Sequence, residues 1–193
     1  MKRALSFGLM LAFLAAAAMA APIQLKWDSL WAGKDTNAGE FQVFATSTGL
    51  TIVVWAKDSW LITEAHVAVH LNSADIPMNK KGNPIIGHFA WSETSCPQTA
   101  PYVFNIPYSS ISSGSLAGAT VYVAVHAVLV QGFYLADTPP CNFYCCIDET
   151  AWGGPCGSWW DPSMPLPPEY FMFPGRSWGY YFSVVIPNPY PAP

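Results

Sequence analysis

Charge is what this sequence has least of. Asp, Glu, Lys and Arg make up 10% of its 193 residues, against roughly a quarter in an ordinary soluble domain. The eight Lys and Arg never gather in more than a pair, so the electrostatic footprint of a nucleic-acid-binding protein is missing. Past the first twenty residues there is no apolar run of about 18 residues, so the mature chain carries no helical membrane span. An N-x-[ST] acceptor is absent, and N-glycosylation is not expected. Also missing are G-x-S-x-G, H-E-x-x-H, a phosphate loop and a dinucleotide fingerprint, which removes the enzyme classes that those motifs announce.

What is there is apolar and aromatic: 52% hydrophobic residues and 15% Phe, Trp and Tyr. That excludes disorder driven by low hydrophobicity and high charge, and the length suits one domain. Residues 1–20 read as a signal peptide, with Met1-Lys2-Arg3 as the positive start, Ala4 to Ala17 as the apolar stretch and Ala18-Met19-Ala20 as the cleavage site. Losing Lys2 and Arg3 takes the formal charge from −4 to −6. The expected location is therefore secreted, in an oxidising compartment.

Export decides how the five cysteines are read. Cys96, Cys141, Cys145, Cys146 and Cys156 match no usual zinc spacing and have no His among them, which points to disulfides. Adjacent Cys145 and Cys146 are awkward to bridge to one another. They are expected to pair outward, in a connectivity that spacing leaves open. Five is odd, so one thiol stays over for burial, for reactivity or for a bridge to a second chain.

Along residues 21–186 period two dominates. Phe41 to Thr46 and Leu50 to Ala56 flank Ser47-Thr48-Gly49 as a hairpin. Further strands are expected over Ile62 to Leu71, Tyr102 to Ile106, Thr120 to Val130 and Trp178 to Ile186, with weaker ones at Ile23 to Trp27 and Ile85 to Trp91. One short helical turn fits Ser109 to Leu116. These elements predict an all-β fold, a two-sheet antiparallel β-sandwich of about 7–9 strands. Two stretches break the alternation. Ala74 to Pro84 reads as a solvated loop. Residues 137–175 hold four cysteines, many prolines and Trp152, Trp159 and Trp160, and read as a disulfide-stapled flap that covers a sheet. Residues 187–193 form a proline-rich tail.

The polar residues on strands carry the chemistry. Alternation puts Thr63, Ala65, Val67, Val69 and Leu71 on one face, and Ile62, Glu64, His66, Ala68 and His70 on the other. In the 120–130 strand, Val121, Val123, Val125, Ala127 and Leu129 form the core face, opposite Tyr122, Ala124, His126, Val128 and Val130. Glu64, His66 and His126 are thereby expected to meet beneath the flap, with Glu149 brought down onto them. Two imidazoles and two carboxylates suit one divalent, zinc-like cation. They also suit mutual hydrogen bonding that locks flap to sheet, which is the favoured reading.

Glu64-Ala65-His66, Ala124-Val125-His126-Ala127 and Glu149-Thr150-Ala151-Trp152-Gly153, together with Ile76-Pro77, Gly87-His88-Phe89 and Ser177-Trp178-Gly179-Tyr180-Tyr181-Phe182, follow one another in order. This series resembles a group of exported β-sandwich proteins of unsettled function with E-T-H, A-H-A and E-T-A-W-G boxes. Ala65 stands where the first box usually has Thr. The resemblance implies a secreted β fold and no particular activity.

Three functions remain open. A non-enzymatic extracellular protein that binds a surface or matrix component such as a glycan is preferred, with Trp159, Trp160 and Trp152 as stacking residues. A self-assembling envelope or matrix protein would use the odd cysteine. A metal-dependent enzyme would use Glu64, His66, His126 and Glu149.

Overall fold

The computed structural model describes residues 21–33, 35–134, 143–155, 165–176 and 178–188, with backbone alone at 133–134 and 143–146. Residues 1–20, Cys141, Cys156, Trp159, Trp160 and the end of the tail lie outside this set. The strands are β1 (Ile23–Ala32), β2 (Thr36–Ala45), β3 (Gly49–Ala56), β4 (Trp60–His70), β5 (Trp91–Gln98), β6 (Tyr102–Pro107), β7 (Thr120–Tyr134), β8 (Phe143–Gly154), β9 (Tyr170–Met172) and β10 (Tyr180–Val185). One helical turn, α1 (Tyr108–Ile111), follows β6. No helix among the described residues is long and apolar enough to cross a membrane.

All pairing is antiparallel and runs in the order β5-β4-β7-β8-β1-β2-β3-β6. The fold is all-β, as expected, but the two-sheet sandwich is not confirmed: hydrogen bonding continues through one nearly closed, barrel-like sheet. The physical reason is β8. Residues 143–154, expected to be irregular flap, pair with β7 on one side and β1 on the other, and so join the two halves. Long β7 also pairs through Thr120–Val123 with β10, which carries β9 on its far edge. Residues 91–98 form a strand that alternation did not predict. Residues 86–88, expected as strand, form a 3-10 turn.

The expected hairpin is β2–β3. Ala45 faces Leu50, and the Thr46 hydroxyl accepts from the Gly49 amide at 3.1 Å to close the turn. The sheet's interior is the main core, with Leu30, Phe41, Ile52, Ile62, Val67, Val125, Leu129 and Phe182 each fully buried. All five residues assigned to the core face of β7 lie in it. In β4 a register shift between Ile62 and Glu64 turns Ile62 inward and leaves Thr63 to donate its hydroxyl to Val128 O at 3.2 Å. Leu71, expected on the core face, lies past the strand end and is exposed.

The two free edges meet through a side chain. Tyr102 on β6 donates its hydroxyl to Thr63 O on β4 at 3.0 Å and lies 2.6 Å from the Ser95 hydroxyl on β5. Elsewhere a charged cluster sits against the core. Buried Asp28 accepts from Tyr170, and Lys26 reaches Asp28 at 3.1 Å and Glu169 at 2.8 Å.

Gly153 is required by close approach. A Cβ there would lie 2.9 Å from the Phe41 ring and 3.1 Å from Val125, so only glycine lets β8 cross the core at that height.

Candidate functional site

On the outer face of β4, β7 and β8 a second apolar cluster is built from Ala68, Ile76, Phe89, Ala124, Trp152 and Phe173. The cover was expected from the flap alone. The structure draws it from two regions: residues 173–176 and 178–181, with Phe173, Trp178 and Tyr181, and the 74–89 loop, with Ile76, Met78, Ile86 and Phe89. The loop expected to be solvated is therefore half a lid, and Ile76 is 1% exposed.

His66 and His126 face each other across β4 and β7, which brings their Cβ atoms to about 4.5–5.5 Å. Their ring centroids are 5.6 Å apart. Glu64 Oε2 lies 3.2 Å from His66 Nε2. His126 pairs with Trp152 on β8, and its ring stands T-shaped to the indole at 4.8 Å. Glu64, His66 and His126 thus do converge.

Glu149 does not. It occupies the opposite face of β8, in register with Leu129, and lines a cavity of about 320 Å³ with Asp35, Thr36 and Trp60. Strand parity is the cause: Glu149 shares its face with Ala151 and Gly153, whereas the histidines share theirs with Trp152. Among the described residues no group of three or more His, Cys, Asp or Glu side chains is placed to hold an ion. The four-ligand, zinc-like arrangement is therefore not assembled.

Nor is the favoured lock closed by hydrogen bonds. Both ring nitrogens of His126 and Nδ1 of His66 are buried without a hydrogen-bond partner among the described residues. A buried orphan of this kind costs about 1–3 kcal/mol. Burial, with a smaller contribution from neighbouring His66, lowers the His126 pKa to about 3, so this ring is neutral at physiological pH. Burial likewise lowers that of His70, against the opposing influence of Asp75.

Trp152, expected as a stacking residue for ligand, is 3% exposed and packs on Phe173 and Phe89 at 5.2 and 6.4 Å. It is core. Cys96 is disulfide-bonded, and the other four cysteine side chains fall outside the described set.

The aromatic face that alternation did not single out is on the other half of the sheet. Three cross-strand rows run over the outside of β1, β2, β3 and β6: Gln24-Phe44-Thr51-Asn105, Trp27-Gln42-Val53-Val103 and Ser29-Glu40-Trp55. Trp27 is 54% exposed and Val103 43%. Phe44, Val53 and Trp55 belong to neither buried cluster. Polar groups between them are held in place: the Trp27 indole N–H donates to Glu40 Oε2 at 2.8 Å, and the Thr51 hydroxyl to Asn105 Oδ1 at 3.0 Å. No Lys or Arg stands in these rows. The signal was present in the sequence as Phe44, Val53 and Trp55 alternating with core residues.

No family model matches the chain, and neither a curated protein nor a solved structure is significantly similar to it.

Proposed function

We propose that this chain is an exported, non-enzymatic binding protein whose bare sheet face, outside β1, β2, β3 and β6, takes an extended neutral glycan of an extracellular surface or matrix. The observation that supports it is Trp27, more than half exposed in a strand centre with its indole N–H fixed by Glu40. An aromatic plane held still loses little entropy when a ligand stacks on it, and indoles combine an apolar face with a polar edge. Strands lie about 4.8 Å apart and rise about 3.3 Å per residue, which sets Phe44 about 8 Å and Trp55 about 12 Å from Trp27. That spacing spans more than one sugar ring. Gln24, Gln42, Thr51 and Asn105 supply amide and hydroxyl groups between the rings, suited to uncharged sugar hydroxyls. The lack of Lys and Arg in the rows disfavours an acidic polymer. Glu40 is the sole carboxylate there and is engaged by Trp27, so the paired acids of glycoside cleavage are not on this face. The residues 1–20 pattern supports export.

The test is equilibrium binding of the purified chain to a panel of neutral polysaccharides, by pull-down for insoluble polymers and calorimetry for soluble ones. At least one should bind, and Trp27→Ala should lower its affinity at least about tenfold. Failure of every polymer, or binding unchanged by that substitution, overturns the reading. A concentration-dependent dimer abolished by Trp27→Ala would replace the glycan with a second copy of the chain.

A further inference from the structure

We propose that His66 and His126 form a binding site for one cuprous ion, with Glu64 as the positioning residue. The inference is independent of the glycan-binding face, which lies on the other half of the sheet.

The tautomer comes first. An ionised carboxylate only accepts hydrogen bonds, so the Glu64–His66 contact at 3.2 Å makes His66 Nε2 the donor. A neutral His66 then presents a lone pair at Nδ1, and that atom is buried and unpartnered among the described residues. Metal-bound histidines show this same carboxylate contact on the far nitrogen, where it fixes the ring and raises its basicity. Across the strand pair, His126 is 2% exposed and both its nitrogens are without hydrogen-bond partners among the described residues. Its neighbour Trp152 meets it in a T-shaped ring contact, which is no conventional hydrogen bond and leaves a lone pair unclaimed. Two facing imidazoles, each with an unclaimed lone pair and their ring centroids 5.6 Å apart, can both be satisfied by a Lewis acid between them or by a water that donates to each; the apolar surroundings favour the ion, which needs no further polar partner.

The surroundings select the ion. Zinc seeks four ligands, and calcium or magnesium seeks six or more oxygens. No third His, Cys, Asp or Glu joins this pair among the described residues. The apolar cluster beside the pair holds Ala68, Ala124, Phe89 and Trp152, and Met78 packs on it with its soft thioether. A low-coordinate, apolar, imidazole-lined site suits monovalent copper. Its single charge is matched by the Glu64 carboxylate on the far side of His66, as burial of an ion requires.

The experiment is a cuprous titration of the secreted chain under anaerobic conditions against a chromophoric cuprous chelator. Free thiols are alkylated beforehand, because an unpaired cysteine would itself take copper. One equivalent should bind, and X-ray absorption should show two nitrogen scatterers at imidazole distances. His66→Gln and His126→Gln should each lower affinity by about 100-fold or more, and Glu64→Gln by about 10–100-fold. Should His126→Gln fail to fold, His66→Gln on the less buried ring carries the test. No uptake in competition with the chelator, uptake indifferent to His66→Gln, or a crystal of copper-treated protein with water bridging the two rings would overturn the proposal.

Discussion

The outer surface of the sheet is two different materials. Over β4, β7 and β8 it is a second core, roofed by Ile76, Phe89 and Phe173, in which two imidazoles are sealed with most of their nitrogens unused. Over β1, β2, β3 and β6 it is open, with Trp27 and Val103 in solvent and amides between them. The strands on both halves alternate in the same way and share one interior. The difference lies in the connections. The 71–90 segment and residues 173–176 and 178–181 lie over the first half, whereas β2 and β3 are joined by a turn too short to cover anything. A covered face can hold groups whose chemistry depends on exclusion of water. An uncovered one can only meet what arrives from outside.

The largest test of that contrast is to empty the roofed half. Trp152→Ala removes a ring in contact with His126, Phe89 and Phe173. It should cost about 3–5 kcal/mol in urea unfolding and leave glycan affinity of the remaining folded protein unchanged. A comparable loss of binding would mean that the halves are not independent.

Next is acid. The folded-state pKa of His126, about 3, lies below the value of 6.5 for a free imidazole, so the unfolded chain binds the extra proton as pH falls. Stability from this group is complete above pH 6.5, declines at up to about 1.4 kcal/mol per unit below it, and stops declining near pH 3. Carboxylates obscure the lower part: Glu169, whose pKa is lowered chiefly by its hydrogen bond to Lys26, loses its contribution only as pH falls through the carboxylate range. Between pH 6.5 and 4.5 the metal-free protein should lose about 2–3 kcal/mol. His126→Phe should flatten that slope, with His66 and Glu64 left as the titratable groups facing the site. An unaltered slope would show that His126 is not shielded from water.

How far the sequence exposed this contrast depends on which residues carry a period. Val121 to Leu129 alternate without interruption, and their inward assignment is what the structure shows. Glu64, His66 and His126 were placed together by the same rule, conditional on β4 and β7 being neighbours. Glu149 failed because Cys145 to Thr150 runs from apolar to polar without alternating, so nothing marked β8 as a strand or set its parity. That same silence hid the link between the halves and led to two sheets being expected instead of one. The roof was illegible for another reason: Ile76 stands alone in a polar loop, Phe89 lies in a stretch read as a weak strand, and Phe173 ends the unbroken apolar run that starts at Tyr170, so no period pointed to a cover. The bare face was legible in alternation, but burial is what separates an exposed Trp27 from a buried Trp152, and burial is set by segments distant in the chain.

A smaller effect is expected at the seam. Tyr102→Phe deletes a hydroxyl that donates to Thr63 O and contacts Ser95. Two ordinary hydrogen bonds amount to about 1–2 kcal/mol, and hydrogen exchange should rise first in β5 and β6 if those contacts hold the sheet's ends together. Equal protection in both strands would show that the shared interior alone keeps the sheet curled.

The smallest effect on stability belongs to Trp27→Ala, and its smallness is the point. More than half of this side chain is in water already, and it sits in neither buried cluster. What it loses is one indole bond to Glu40 and partial contact with Gln42. Surface substitutions away from buried features usually change stability by no more than about 0.5 kcal/mol. A residue that the fold does not need, held rigid in the centre of a sheet by a dedicated carboxylate, is what a binding surface requires. Should Trp27→Ala instead cost several kcal/mol in thermal unfolding, its ring would be structural, and the open half of the sheet would lose its claim to be a binding surface.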